Sequence, residues 1–149
     1  MKTTDELVRE LADREAIHAL PARYCDCIYR GDVDGLVNLF IENATFAVKD
    51  PENEVITRGR GELKKMFENL INEVRPRPLV HSHVVELHGG NSATGRCYVE
   101  LRSATLGMDG VGSGCYEDDY VKVGEQWKFA SRRLLEVDMT TSLRTFMVN

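Results

Sequence analysis

With 149 residues, 42% of them hydrophobic and 29% charged, the chain has the size and composition of one globular domain rather than of a disordered segment. A formal net charge of -5 speaks against a general nucleic-acid or anionic-membrane surface. It leaves a small molecule, or a second copy of the chain, as the expected partner.

The opening stretch MKTTDELVRELADRE is charged at a helical period and lacks the apolar core of a secretory signal. No apolar run reaches bilayer length, so the expected location is the cytoplasm. Thr3 and Glu6 have capping-box spacing, and Leu7, Leu11, Ile17, Leu20, Tyr24 and Ile28 recur at near-helical intervals. The pattern predicts a helix over 4–30 that ends at Gly31, with a kink at Pro21, which has no N–H to donate. Cys25, Cys27, Cys97 and Cys115 form no C-x-x-C pair and read as reduced core or near-core residues. Asp32 is placed to cap a second short helix carrying Val33, Leu36, Val37, Leu39 and Phe40.

Residues 44–48 read as a strand, Asp50-Pro51-Glu52-Asn53 as a turn and 55–57 as the returning strand. Leu63, Met66, Phe67, Leu70, Ile71 and Val74 form one helical stripe, closed by Arg75-Pro76-Arg77-Pro78. The remainder is strand-like over 79–87, 93–106, 114–123 and 127–139, with turns at 88–91, 107–110 and 124–125. Helices first and a long meander last predict an α+β domain spanning 1–149, with the helices packed on one face of a curved sheet.

Several segments then resemble the SnoaL-like (polyketide-cyclase-like) branch of the nuclear transport factor 2-like superfamily. They are Arg14-Glu15-Ala16-Ile17, Ala22-Arg23-Tyr24, the run from Tyr29 to Leu36, Leu39-Phe40 and Asn43-Ala44-Thr45-Phe46. Val84-Val85-Glu86-Leu87, Ala93-Thr94-Gly95-Arg96, Tyr116-Glu117-Asp118 and Trp127-Lys128-Phe129 follow in the family's order. The resemblance implies a cystatin-like cone: a barrel of mixed, mainly antiparallel sheet closed by three helices from the N-terminal half, with an internal small-molecule pocket. It also implies chemistry of the scytalone dehydratase type, in which an aspartate and a histidine remove a proton beside a leaving group without a metal or other cofactor. A homo-oligomer, dimer or trimer, built through the sheet is expected with it.

The chain departs from that pattern at the reacting groups. Aligned on Arg30-Gly31-Asp32-Val33-Asp34, the aspartate position holds Tyr29; aligned on Val84-Val85-Glu86-Leu87, the histidine position falls on or near Pro78. Tyr24 matches a tyrosine of several family dehydratases and is either a hydrogen-bond donor to a substrate oxygen or a buried aromatic of structural use, while Tyr29 serves as a weak acid or as a donor to a bound oxyanion. His81 takes the base role if a strand bulge turns it inward. His83 shares its strand side by alternation, and Asp26, His83 and Tyr116 are expected to touch substrate. His18 and His88 read as surface residues, and Glu100 as the partner of Arg96 on one side of a strand. Arg102 and Arg132 either bind an anionic substrate or are ordinary surface arginines. The function expected on these grounds is a cofactor-independent, dehydratase-like lyase or an isomerase acting on a small cyclic, largely apolar molecule. The alternatives are a non-catalytic binding protein of the same fold and the small subunit of a ring-hydroxylating dioxygenase.

Overall fold

The Thr3 hydroxyl accepts from the Glu6 amide at 3.2 Å while the Glu6 carboxylate accepts from the Thr3 amide at 2.7 Å, and this reciprocal pair starts helix α1 (Thr4–Arg30). The computed structural model describes residues 1–49, 51–105, 107 and 112–139. Helix α1 runs through Pro21 and stops at Gly31, whose φ of 69° is the left-handed conformation that ends helices. Asp32 then caps α2 (Val33–Asn38) by accepting from the Gly35 amide at 2.9 Å.

Strand β1 (Phe40–Lys49) begins earlier than its apolar run suggests and is followed by β2 (Glu54–Arg58) and α3 (Arg60–Glu73). Four long strands complete the chain: β3 (Pro76–Leu87), β4 (Ser92–Ser103), β5 (Gly112–Val123) and β6 (Gln126–Met139). Pro76 and Pro78, expected to be a break, open β3 instead. This strand is at the sheet edge, where a residue without an N–H is tolerated. Met108, Asp109 and Gly110 of the expected turn lie outside the described residues, as do Asp50 and Leu106.

The strands form one open, curved six-stranded sheet in the order β2-β1-β6-β5-β4-β3, antiparallel throughout except for the parallel pairing of β1 with β6. Helix α1 lies along β3 and β6, and α3 covers β1 and β2. The core between helices and sheet is aromatic. Tyr24 makes edge contacts with Phe67 at 6.0 Å, Tyr116 at 5.9 Å and Phe129 at 6.3 Å between ring centroids. At its far end Asp13 accepts from Trp127 at 2.8 Å and from Lys122 at 3.0 Å, pinning α1 to the sheet. Among the described residues no helix is long and apolar enough to cross a membrane.

Two β-bulges set which side chains reach this interior. Val80 pairs with Val99 and His83 with Cys97, so β3 spends three residues where β4 spends two. Likewise Tyr120 pairs with Phe129 and Asp119 with Ser131, so β6 carries an extra residue at Ala130. Each extra residue reverses the alternation of the strand beyond it.

Candidate functional site

On the helix-facing side of β5, Tyr116, Asp118 and Tyr120 follow one another at period two, and all three are buried. The bulge in β6 turns Arg132 to the same side, where it is 0% exposed beside Asp118 at 3%. Arg132 Nε and Asp118 Oδ1 are 3.1 Å apart, an ion-pair distance without the alignment of a hydrogen bond. The guanidinium carbon stacks 3.7 Å from the Tyr116 ring centroid, 4.3 Å from that of Tyr24 and 4.7 Å from that of Phe129.

A hydrogen-bonded line leads outward from this pair. The Tyr120 hydroxyl donates to Asp118 Oδ2 at 2.9 Å, so its oxygen is free to accept from His83 Nε2, also at 2.9 Å. His83 Nδ1 then faces His18 Nδ1 of α1 at 2.9 Å, and His18 is exposed. Burial, and next the neighbouring His18 and Arg132, lower the His83 pKa from 6.5 to about 4, which leaves the ring neutral and able to accept a proton. Burial pushes the Asp118 carboxyl above its usual range, against the opposing pull of Arg132 and the Tyr120 bond. Burial also raises Tyr116 to about 12 and Tyr24 well above 10, so both phenols are held as neutral donors.

The interior space beside Tyr24 and Tyr116 is small, and Asp118, His83 and Arg132 lie outside its wall. A cavity of about 20 Å³ lies against Tyr24, Tyr116, Phe46, Leu70, Pro78 and Leu101. That volume holds about one water, so the ring-sized hollow expected from the sequence is largely filled by the aromatic side chains themselves. Larger spaces are open grooves elsewhere. One of about 600 Å³ runs over the outer face of the sheet past Glu54, Arg96, Glu117 and Arg133, and one of about 520 Å³ lies between the start of α1 and the β3–β4 turn.

The structure brings Tyr24, Tyr116 and His83 together on the inner face, and places three other expected residues elsewhere. Tyr29 is 43% exposed and lies under the Arg77 guanidinium at 5.1 Å, one helical step past the last inward residue, Ile28. Asp26 is on the solvent face of α1, paired with Arg30 at 3.3 Å. The β3 bulge separates the two histidines instead of keeping them on one side. His83 enters the interior, and His81 stays on the outer face, 2.7 Å from Glu100. Glu100 therefore pairs with His81 rather than with Arg96 as expected, and Arg132 is an interior residue rather than a surface one.

Asp118, Tyr120 and His18 join this candidate site without having been given a role from the sequence. Once Tyr116 is taken as inward, strand alternation alone carries Asp118 and Tyr120 with it. Among the described residues no group of three or more His, Cys, Asp or Glu side chains is arranged to hold a metal ion.

Comparison with known proteins places this geometry in context. A family model described as a SnoaL-like domain matches residues 9–133. A protein of unknown function from Mycobacterium tuberculosis is similar at 30% identity with a TM-score of 0.78, over 91% of this chain and 78% of that one. A protein from Novosphingobium aromaticivorans, inferred to be a scytalone dehydratase, is similar at 25% identity with a TM-score of 0.75, over 88% of each chain. A nuclear transport factor 2-like protein with a cystatin-like fold from the same organism superposes with a TM-score of 0.78 at 20% identity, over 100% of this chain and 99% of that one, which speaks to the fold alone. No curated protein matches the chain.

Proposed function

Because the chain belongs to the SnoaL-like domain family, we propose that it is a cofactor-independent lyase or isomerase that moves a proton on a small cyclic, largely apolar substrate held between helices and sheet. The observation that carries this reading is the unbroken line Asp118–Tyr120–His83–His18, which joins a fully enclosed carboxylate to an exposed imidazole through three contacts of 2.9 Å. A carboxylate with a raised pKa is a stronger base than an ordinary one; the Tyr120 hydroxyl, donating to Asp118 while accepting from the neutral His83, orients that carboxylate, and the proton taken from the ring stays on Asp118 until it is returned to the substrate or its leaving group. Tyr24 and Tyr116 supply neutral O–H donors at the cavity wall, where a substrate oxygen would gain charge. The similarity to the inferred scytalone dehydratase favours loss of water as the reaction class.

The roles first suggested for Tyr29 and His81 pass in this proposal to Tyr116 and to the Asp118–His83 line. The substrate enters only as the side chains around the small cavity move apart. The test is turnover on a panel of hydroxylated ring ketones, followed as loss of water or as exchange of the ring proton for deuterium. His83→Gln and Asp118→Asn are each expected to lower the rate by about a hundredfold, the usual scale of one acid–base group, while His81→Ala leaves it unchanged. A wild type inactive on the whole panel, or a His83→Gln enzyme as fast as wild type, ends the reading.

A binding protein without turnover is the second reading, favoured by one observation: the cavity is lined by Tyr24, Tyr116, Arg102 and otherwise apolar side chains, and among the described residues neither an imidazole nor a carboxylate is in its wall. Tight ligand binding with no chemistry on the same panel would select it.

A further inference from the structure

Arg132 presents an unusual balance of donors. Among the described residues only its Nε edge faces a carboxylate, and the terminal nitrogens Nη1 and Nη2 are enclosed without a hydrogen-bond partner. A guanidinium is always charged and carries four of its five N–H groups on those two nitrogens. Buried donors are nearly always satisfied, and a pair left open in the interior is a place where an acceptor belongs. The surroundings restrict what that acceptor can be attached to. Tyr24, Tyr116 and Phe129 flank the guanidinium with aromatic faces and edges, and among the described residues no second acidic side chain is ion-paired to it.

We propose that the outer edge of Arg132, Nη1 with Nη2, is the receptor for a carboxylate borne on a flat, apolar ring, so that the ligand of this protein is a small ring carboxylic acid. Two adjacent N–H groups in one plane match the two oxygens of a carboxylate and form parallel bonds to it. The flanking rings supply the apolar, planar surface on which the remainder of such a ligand stacks. Asp118 lies 3.1 Å from the Nε edge, where its carboxylate competes with the ligand for the charge of the guanidinium. The inference rests on the substrate site being the interior one described above, and it adds to that reading the chemical class of what enters.

The test uses the full chain and calorimetric titration with benzoate and 1-naphthoate, against benzamide and benzyl alcohol as neutral controls of the same shape. Wild type is expected to bind benzoate at least about tenfold more tightly than benzamide, the margin of one charge-assisted bidentate contact. Arg132→Lys, which keeps the charge but not the fork, should lose most of that preference. Asp118→Asn should tighten benzoate several-fold by removing the competing carboxylate, a change that a merely structural arginine would not produce. Since Arg132→Met alone strands Asp118, the Arg132→Met/Asp118→Asn double variant is the one whose folding is checked by circular dichroism; folded, it should treat benzoate and benzamide alike. Equal binding of acid and amide by wild type, no binding of any probe, or a preference that survives in the double variant overturns the proposal. The two readings separate cleanly. Carboxylate preference with His83→Gln turning over at the wild-type rate removes the proton-transfer reading alone, whereas the absence of that preference beside a dead His83→Gln enzyme removes this one alone.

Discussion

At the scale of single residues, His83 ties the site to the stability of the fold. Its folded pKa, about 4, lies below the 6.5 of an unperturbed imidazole, so the unfolded chain binds the proton more readily. The contribution is therefore complete above pH 6.5 and is lost as pH falls toward about 4. The ring is only half-buried, so screening reduces the effect to about 1–2 kcal/mol. Urea midpoints measured across that window should fall more steeply for wild type than for His83→Gln, and parallel curves would show that the group does not titrate differently in the two states. Arg132 illustrates why residue chemistry alone did not reveal the site. Counted by alternation from Trp127 and Phe129, both buried, it belongs on the outer face with solvent; only the extra residue at Ala130 turns it inward.

Elements show the same division between what the sequence displays and what it conceals. Capping signals at Thr3, Gly31 and Asp32, and the Leu63–Val74 stripe, announce three helices, because a helix end and an apolar face are local features. The long strands were legible too, as was the antiparallel meander of the second half. Bulges were not, since a bulge depends on the register between two strands, which no single stretch encodes. Two polar residues of the inner face, His83 and Arg132, lie just beyond one. Strand β4 adds a steric requirement: a side chain at Gly95 would place its Cβ 2.7 Å from the Val84 carbonyl oxygen and 3.0 Å from the Tyr120 ring. Gly95→Ala should therefore cost about 1–3 kcal/mol in chemical denaturation. It should also lift Tyr120 from Asp118 and His83, reducing turnover beyond the loss of folded protein. An alanine variant with normal stability would mean that β3 and β4 separate more readily than their pairing suggests.

For the molecule as a whole, helices and sheet share one core, in which Tyr24 of α1 meets Phe67 of α3 and Phe129 of β6. Trp127, the single tryptophan, is buried at the other end of that core against Asp13. Unfolding followed by its emission and by far-ultraviolet circular dichroism is expected to show one midpoint, as for a single cooperative unit; two midpoints would divide the chain into separately melting parts. The sheet order places β1 between β2 and β6, with β6 running parallel to it although some eighty residues of chain intervene. On a ribosome this makes the nascent chain wait. Helices form as they emerge, but the seat left beside β1 stays vacant until the segment bearing Phe129 and Arg132 is synthesised. Until then the half-made sheet offers an unpaired edge and a row of aromatic rings to whatever is nearby, so chaperone demand during synthesis should depend on how quickly this segment is delivered.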